Sequence, residues 1–530
     1  MIKRTTYFLL LLTFFSIAVG AKRNYRITST PNNTIEKADE LFANENYKTA
    51  LPLYIQLLSQ NPNYSEFNLR AGICCMNSNH NYAKALYYLS KAEKSSDKEP
   101  QVYYYIGRAY HFSNKIDQAI ENYEVFKVYS NDNDPLYLQA ERNIEMCNNA
   151  KSILNHKISV TITNIGNQIN SSYSDFSPLL TSDQIQIFFT SKKEGCIGGT
   201  EDYNSEFFSD IYTSKKVDWQ WNYPNNLGNS INTDLNDIAA GLSLDGQKLL
   251  IYREDYNTST GNIYWSHLID DLWQTPEKVG KQSNTTDINS EYSEKYACVS
   301  PDENTIYFTS DRPGGYGGTD IYKIQKLPTG EWGLALNLGD EINTIYDESA
   351  PFIHFDGKSF FFCSNGHNSI GGFDIFTTSL NENKEWDEVV NIGYPINSTN
   401  DDIDFVLTPD KRTGYFASIR PEGFGGLDIY RAEFQEYTGI TIMRGKINVE
   451  DSLALKQTSI TVTERDNETV EGMYHPNNRS GKFIMIFTPG RSYTIKVDAP
   501  GYECYTENIT ISKNVHIFEL EKVISLKCRQ

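Results

Sequence analysis

The sequence predicts three folded parts in series: an α-helical repeat array over 31–156, an all-β propeller over 157–436, and a small β-sandwich over 437–525. Three observations lead there. Ala50, Ala85 and Ala119 stand 35 and 34 residues apart, each with a large side chain four residues on, which is the period of stacked helix pairs. A glycine-rich loop ending in aspartate returns as DRPGGYGGTDIY at 311–322, SNGHNSIGGFDIF at 364–376 and IRPEGFGGLDIY at 419–430. After 437 the chain alternates apolar and polar residues between short turns. The 530 residues suffice for three or so domains, and 13% aromatic residues supply apolar surface for their cores.

The opening residues come first in order. Lys3 and Arg4 precede an apolar run from Tyr7 to Val19, and Val19 and Ala21 are the small residues a signal peptidase selects. Residues 1–21 are read as a signal peptide, so the mature chain is expected to be exported, in the periplasm or associated with the outer membrane. The run is too short for a comfortable membrane span, and no cysteine follows it closely, so neither a transmembrane span nor a lipid anchor is expected. The formal charge of -20 argues against nucleic acid, whose phosphates reward lysine and arginine clusters. Eight cysteines without CxxC spacing are not a disulfide framework. Cys74 with Cys147 is one conceivable pair, and separate buried thiols are the reading favoured over it.

In the array, Tyr47, Ala50, Tyr54 and Pro62 form one unit. Tyr82, Ala85, Leu89 and Ala92 form the next, and Ile116, Ala119, Tyr123 and Phe126 the third, with Gly107 and Tyr110 upstream of it. The alanine lets two helices approach and the large side chain fills the groove beside it. The pattern resembles the tetratricopeptide repeat. Three repeats reach about residue 134, and PLYLQAERNIEMCNNAKSIL reads as a closing helix over the last apolar face. The resemblance implies a concave peptide-binding groove and places Phe67, Arg70, Gln101, Tyr104, Arg108 and His111 near it. Arg70 and Arg108 are the candidates to clamp a carboxylate with their flat forks of donors. The competing reading makes the array a spacer and its arginines solvated.

Over 157–436 the segments SDIYTSKK, TDIYKIQK, FDIFTTSL and LDIYRAEF align, with GNIYWSHL as a weaker copy carrying Asn262 in place of aspartate. A strand and a tight turn precede each. An ending such as NLGDEIN or NIGYPIN follows four of the five. Each unit is four short strands, and the repeat marks a propeller. The last unit lacks its outer strand, whereas VTITNIGNQINSS at 160–172 carries the same ending ahead of the first unit. That segment is expected to close a five-bladed ring, six blades being the alternative. The motif resembles the TolB-type WD-like propeller repeat. The glycine loops are read as architecture: glycines supply φ > 0, and the aspartate accepts backbone N–H groups. A phosphate loop would need a lysine and a helix after its glycines. A calcium loop would need several carboxylates.

From 437 on, about seven short strands are expected. Gly481, Phe483, Pro489, Gly490, Tyr493, Gly501 and Tyr502 give the segment a resemblance to the carboxypeptidase regulatory-like domain, which implies a transthyretin-like sandwich without catalytic work.

No catalytic residue is expected. HExxH and GxSxG are missing, no histidine pair has metal-ligand spacing, and adjacent acids such as Asp401 and Asp402 would point to opposite faces of a strand. No metal or cofactor is expected either. The order of parts resembles a family of Bacteroidetes envelope proteins, some of them components of type IX secretion and gliding machinery. Many members end in an OmpA-like domain that grips peptidoglycan; here no such domain is seen, which argues against peptidoglycan anchoring. The resemblance implies a non-catalytic scaffold that binds envelope proteins or peptides. The alternative is a propeller module that binds a glycan or peptide.

Overall fold

The computed structural model describes residues 32–530 apart from 200, 202–205, 257–259, 281–286, 382, 436–440, 467, 478–479, 489, 513–518 and 530. The expected signal peptide at 1–21 lies outside the described residues. The helical part consists of α1 (Asn32–Ala43), α2 (Tyr47–Gln60), α3 (Ser65–Asn79), α4 (Tyr82–Glu93), α5 (Gln101–His111), α6 (Ile116–Tyr129) and α7 (Pro135–Ile153). Asn46 and Asn81 cap α2 and α4 by accepting the N–H groups of Thr49 and Lys84. Ala50, Ala85 and Ala119 are fully buried. Glycine is required opposite them. A Cβ on Gly72 would lie 2.6 Å from Leu89 Cγ, and one on Gly107 2.7 Å from Tyr123 Cδ1. Cys74 and Cys147 lie in separate cores of the array, and both thiols are free.

Five antiparallel sheets follow. Their inner strands are Asp175–Leu180, Asp237–Leu242, Ala297–Val299, Glu348–Ile353 and Asp402–Leu407. Each packs against the next and the fifth against the first, which closes a propeller-like ring. Val160–Asn164, from ahead of the first sheet, pairs with Asp428–Phe434 in the last, Asn164 opposite Tyr430. The outer strand that the last unit lacks is thus supplied from the other end of the segment, which covers an open edge.

The remaining strands form two sheets. Thr441–Asn448, Lys482–Phe487 and Glu519–Ser525 make one; Ser459–Glu464, Val470–Tyr474, Ser492–Asp498 and Tyr505–Thr510 make the other. Met443, Met485 and Phe487 from the first share a core with Ile460, Ile495 and Val497 from the second. A short helix, α8 (Ser452–Lys456), was not expected from the alternation; Asp451 caps it by accepting the Leu453 N–H.

The parts touch at opposite ends of the ring. Arg444 donates to the Ser182 carbonyl and Asn477 to Asp245, on turns that follow inner strands. The helical array meets loops that precede inner strands, as set out below. No helix among the described residues is long and apolar enough to cross a membrane.

Candidate functional site

The repeated loop resolves first. In each loop the terminal aspartate turns back on its own glycine loop. Asp320 accepts the N–H of Tyr316 at 2.6 Å and of Gly317 at 3.1 Å; Asp428 accepts Phe424 at 2.6 Å and Gly425 at 3.2 Å. Asp374 accepts Ile370 and Asp210 accepts Ile197. The asparagine of the following ending completes the unit. Asn343 takes the Ile321 N–H at 2.7 Å and returns a bond to its carbonyl at 3.0 Å, as a strand would. Each of these acids spends an oxygen on its own loop's backbone, while Oδ1 of Asp210 and of Asp374 has no hydrogen-bond partner among the described residues. The expected reason for the glycines needs correction. Gly314 does have φ +96°, but Gly317, Gly371 and Gly425 do not lie in the left-handed region. They are needed because the loop presses on the next sheet's connecting loop: a Cβ on Gly317 would stand 1.9 Å from the Tyr346 carbonyl oxygen, and one on Gly425 2.0 Å from that of Tyr173.

The six groove residues predicted from sequence separate into two settings. Phe67 is buried against Tyr54 and Tyr64, and Tyr104 is buried and donates to Gln139. Arg70 is held inside the chain by Asp39, Glu66 and the Tyr54 hydroxyl. Gln101 opens α5 half-buried, and Arg108 stacks on the Phe112 ring at 5.2 Å. His111 is buried and meets the propeller-like domain, its Nε2 donating to the Ile370 carbonyl at 2.8 Å. Burial pushes its pKa down to about 4, so the ring is neutral, and a carbonyl partner requires the proton on Nε2.

His111 belongs to a row of contacts that sequence reasoning missed. Lys48 lies over the Tyr173 ring, Tyr82 donates to Asn400, and Thr399 donates to Asn114. Asn149 donates to the Ser369 carbonyl at 3.1 Å. Arg142 donates to the carbonyls of Asn365, Gly366 and His367 and to Ser369 Oγ, with its guanidinium 4.4 Å from the Tyr346 ring centre. The array therefore leans its helix-to-helix turns and α7 on loops of the first, fourth and fifth sheets. Away from these contacts, Val128, Tyr129 and Leu138 are 78%, 65% and 68% exposed among the described residues, and Tyr129 stacks on Tyr103.

The ring encloses a channel. Two residues beyond the leading acid of each inner segment stand Ser177, Ala239, Tyr296, Ala350 and Asp404. All five line a cavity of about 60 Å³ that continues past Leu179, Phe352 and Phe405. Bulges turn Ser177, Ala350 and Asp404 into positive φ, at 49°, 44° and 59°. Asp404 is the one acid in that column, a signal readable from the aligned repeats. Its Oδ2 accepts the Ser177 N–H at 2.9 Å and the Ser177 hydroxyl at 3.1 Å. Burial pushes the carboxyl up to about 6.

No family model matches the chain, and no curated protein matches it. Solved structures do. A putative TolB from Agrobacterium tumefaciens is 12% identical, with 52% of this chain and 98% of that chain covered and a TM-score of 0.29. An endo-arabinase from Bacteroides thetaiotaomicron is 12% identical, covering 50% and 95%, with a TM-score of 0.32. The catalytic domain of an α-L-arabinofuranosidase from Coprinopsis cinerea is 11% identical, covering 53% and 98%, with a TM-score of 0.34. No residue role is carried over from them.

Proposed function

We propose that this chain is a non-catalytic scaffold of the cell envelope, exported to the periplasm and associated there with the outer membrane or its proteins. In this reading three tetratricopeptide repeats, a five-bladed TolB-type propeller and a transthyretin-like sandwich act as one body. That body binds other envelope proteins, with type IX secretion as the setting the family resemblance suggests. One observation carries the reading: the array uses one edge to fasten itself to the propeller and leaves an aromatic and aliphatic patch uncovered on the other. Exposed apolar groups on a domain fastened to its neighbour are what an interaction surface needs. Tyrosine suits such a surface, since it offers large contact area at low entropic cost.

The patch supplies the test. Residues 22–530 and a Tyr129→Ser, Leu138→Ser double variant are each used to capture partners from envelope extract, with mass spectrometry as the readout. A stoichiometric protein partner retained by the native chain and lost by the variant, at equal thermal stability, is the expected result. Absence of any protein partner in both samples sinks the scaffold reading and leaves the glycan- or peptide-binding propeller.

A further inference from the structure

We propose that the central channel is a binding site for a primary ammonium carried on a slender alkyl stem, with Asp404 as its anchor. The inference is independent of the scaffold reading. It rests on two features that meet at one place. The first is the channel itself. Its walls are aliphatic and aromatic, with Leu179, Ala239, Val299, Phe352 and Phe405 among them. The second is an incompletely used carboxylate. Asp404 is 6% exposed and lines the cavity; Ser177 occupies its Oδ2, and its Oδ1 has no hydrogen-bond partner among the described residues.

A buried carboxylate with one oxygen unpaired is costly, and in apolar surroundings a cation is the partner that relieves it. The groups facing Asp404 do not do so. Ser177 comes from the first sheet and Cys363 from the fourth, and neither is a cation. Tyr296 and Lys295 precede the third inner strand; Lys295 pulls the Asp404 pKa down from a distance without forming an ion pair with it. Size then selects the ligand. A cavity of about 60 Å³ is well under the roughly 150 Å³ that admits benzene, so a sugar ring does not enter. A metal ion would find a single carboxylate. A linear alkyl stem matches the apolar wall, and an ammonium head matches the Asp404 carboxylate, whose enclosed Oδ1 must turn toward the cavity to meet it. Two sources share that chemistry: a free alkylamine and the lysine side chain of a partner protein.

The test is calorimetric titration of residues 22–530 with n-butylammonium, with n-butanol as the neutral isostere and Nα-acetyl-lysine methylamide as the second source. Butylammonium is expected to bind about tenfold or more tightly than butanol, and Asp404→Asn to lose that advantage. Binding of the lysine derivative with similar affinity assigns a partner's side chain; binding of butylammonium alone assigns a free amine. A second readout holds even where Asp404→Asn fails to fold. At pH 6 the carboxyl is about half protonated, so binding releases about half a proton, seen as a buffer-dependent heat. No binding of butylammonium up to about 10 mM overturns the proposal. Equal affinity for butanol, or binding at pH 6 without proton release, overturns it too.

Discussion

The third and fifth sheets anchor their glycine loops with an arginine of their own, and the fourth does not. Arg312 donates to Glu294, Ser310 and the Ile288 carbonyl, with its guanidinium 5.1 Å from both the Phe308 and Tyr322 rings. Arg420 repeats this on Asp402, Ser418 and the Ile396 carbonyl, 5.2 Å from both Phe416 and Tyr430. In the fourth sheet the same position holds Gly366, where a Cβ would stand 2.1 Å from Thr344 Oγ1. The next residue, His367, takes over the place against Phe362, edge-on, and Phe376, tilted, and the bond to the Ile342 carbonyl. Among the described residues, in this sheet alone of the three, an arginine of the helical array reaches the loop: Arg142 takes the carbonyls of Asn365, Gly366 and His367. The repeat that departs from its sisters at the arginine position is also the one on which the second domain fastens.

The comparison breaks hardest at the self-anchored sheets. Arg312→Met strands the fully buried Glu294 without its cation, and a loss of about 3–5 kcal/mol is expected in urea denaturation. A loss under about 1 kcal/mol would mean that the pair is dispensable. The fourth sheet sharpens it from the other side. Glu348 has no arginine, and burial pushes its carboxyl from 4.5 up to about 7, with Thr344 and Ser364 hydrogen bonds opposing. The unfolded chain loses this proton near 4.5 and the folded chain near 7, so the stability the group contributes is full below the lower value and is lost as pH rises through the upper one. Relative to the native chain, Glu348→Gln should therefore gain about 3 kcal/mol between those two pH values. Parallel pH profiles for the two proteins would contradict the assignment.

Much of this fold was legible as repetition. Ala50, Ala85 and Ala119 gave the helix pairs, and the aligned aspartates gave the β units. The shared ending at 160–172 showed where the last sheet finds its outer strand. The docking contacts were not legible. Arg142 and Asn365 are 223 positions apart, and nothing in a local pattern joins them. Their trace was present as departures from the pattern: Gly366 where two sister repeats hold arginine, and Asp404 where three of its four counterparts are small. Repetition reports what every unit needs, and the exceptions report what one unit does. His111 illustrates the limit of carrying over a groove position, because the helix face that family analogy opens to a peptide here meets Ile370 of the same chain.

The helical array holds the fourth sheet's loop through Arg142. Hydrogen exchange on the native chain and Arg142→Ala tests it most directly. The Ser369 and Ile370 amides, bonded to the Gly366 carbonyl and to Asp374, are the reporters. In the variant, 365–370 and 111–114 should exchange about tenfold faster or more, while 311–317 and 419–425 are unchanged. Equal protection of 365–370 in both proteins would contradict it.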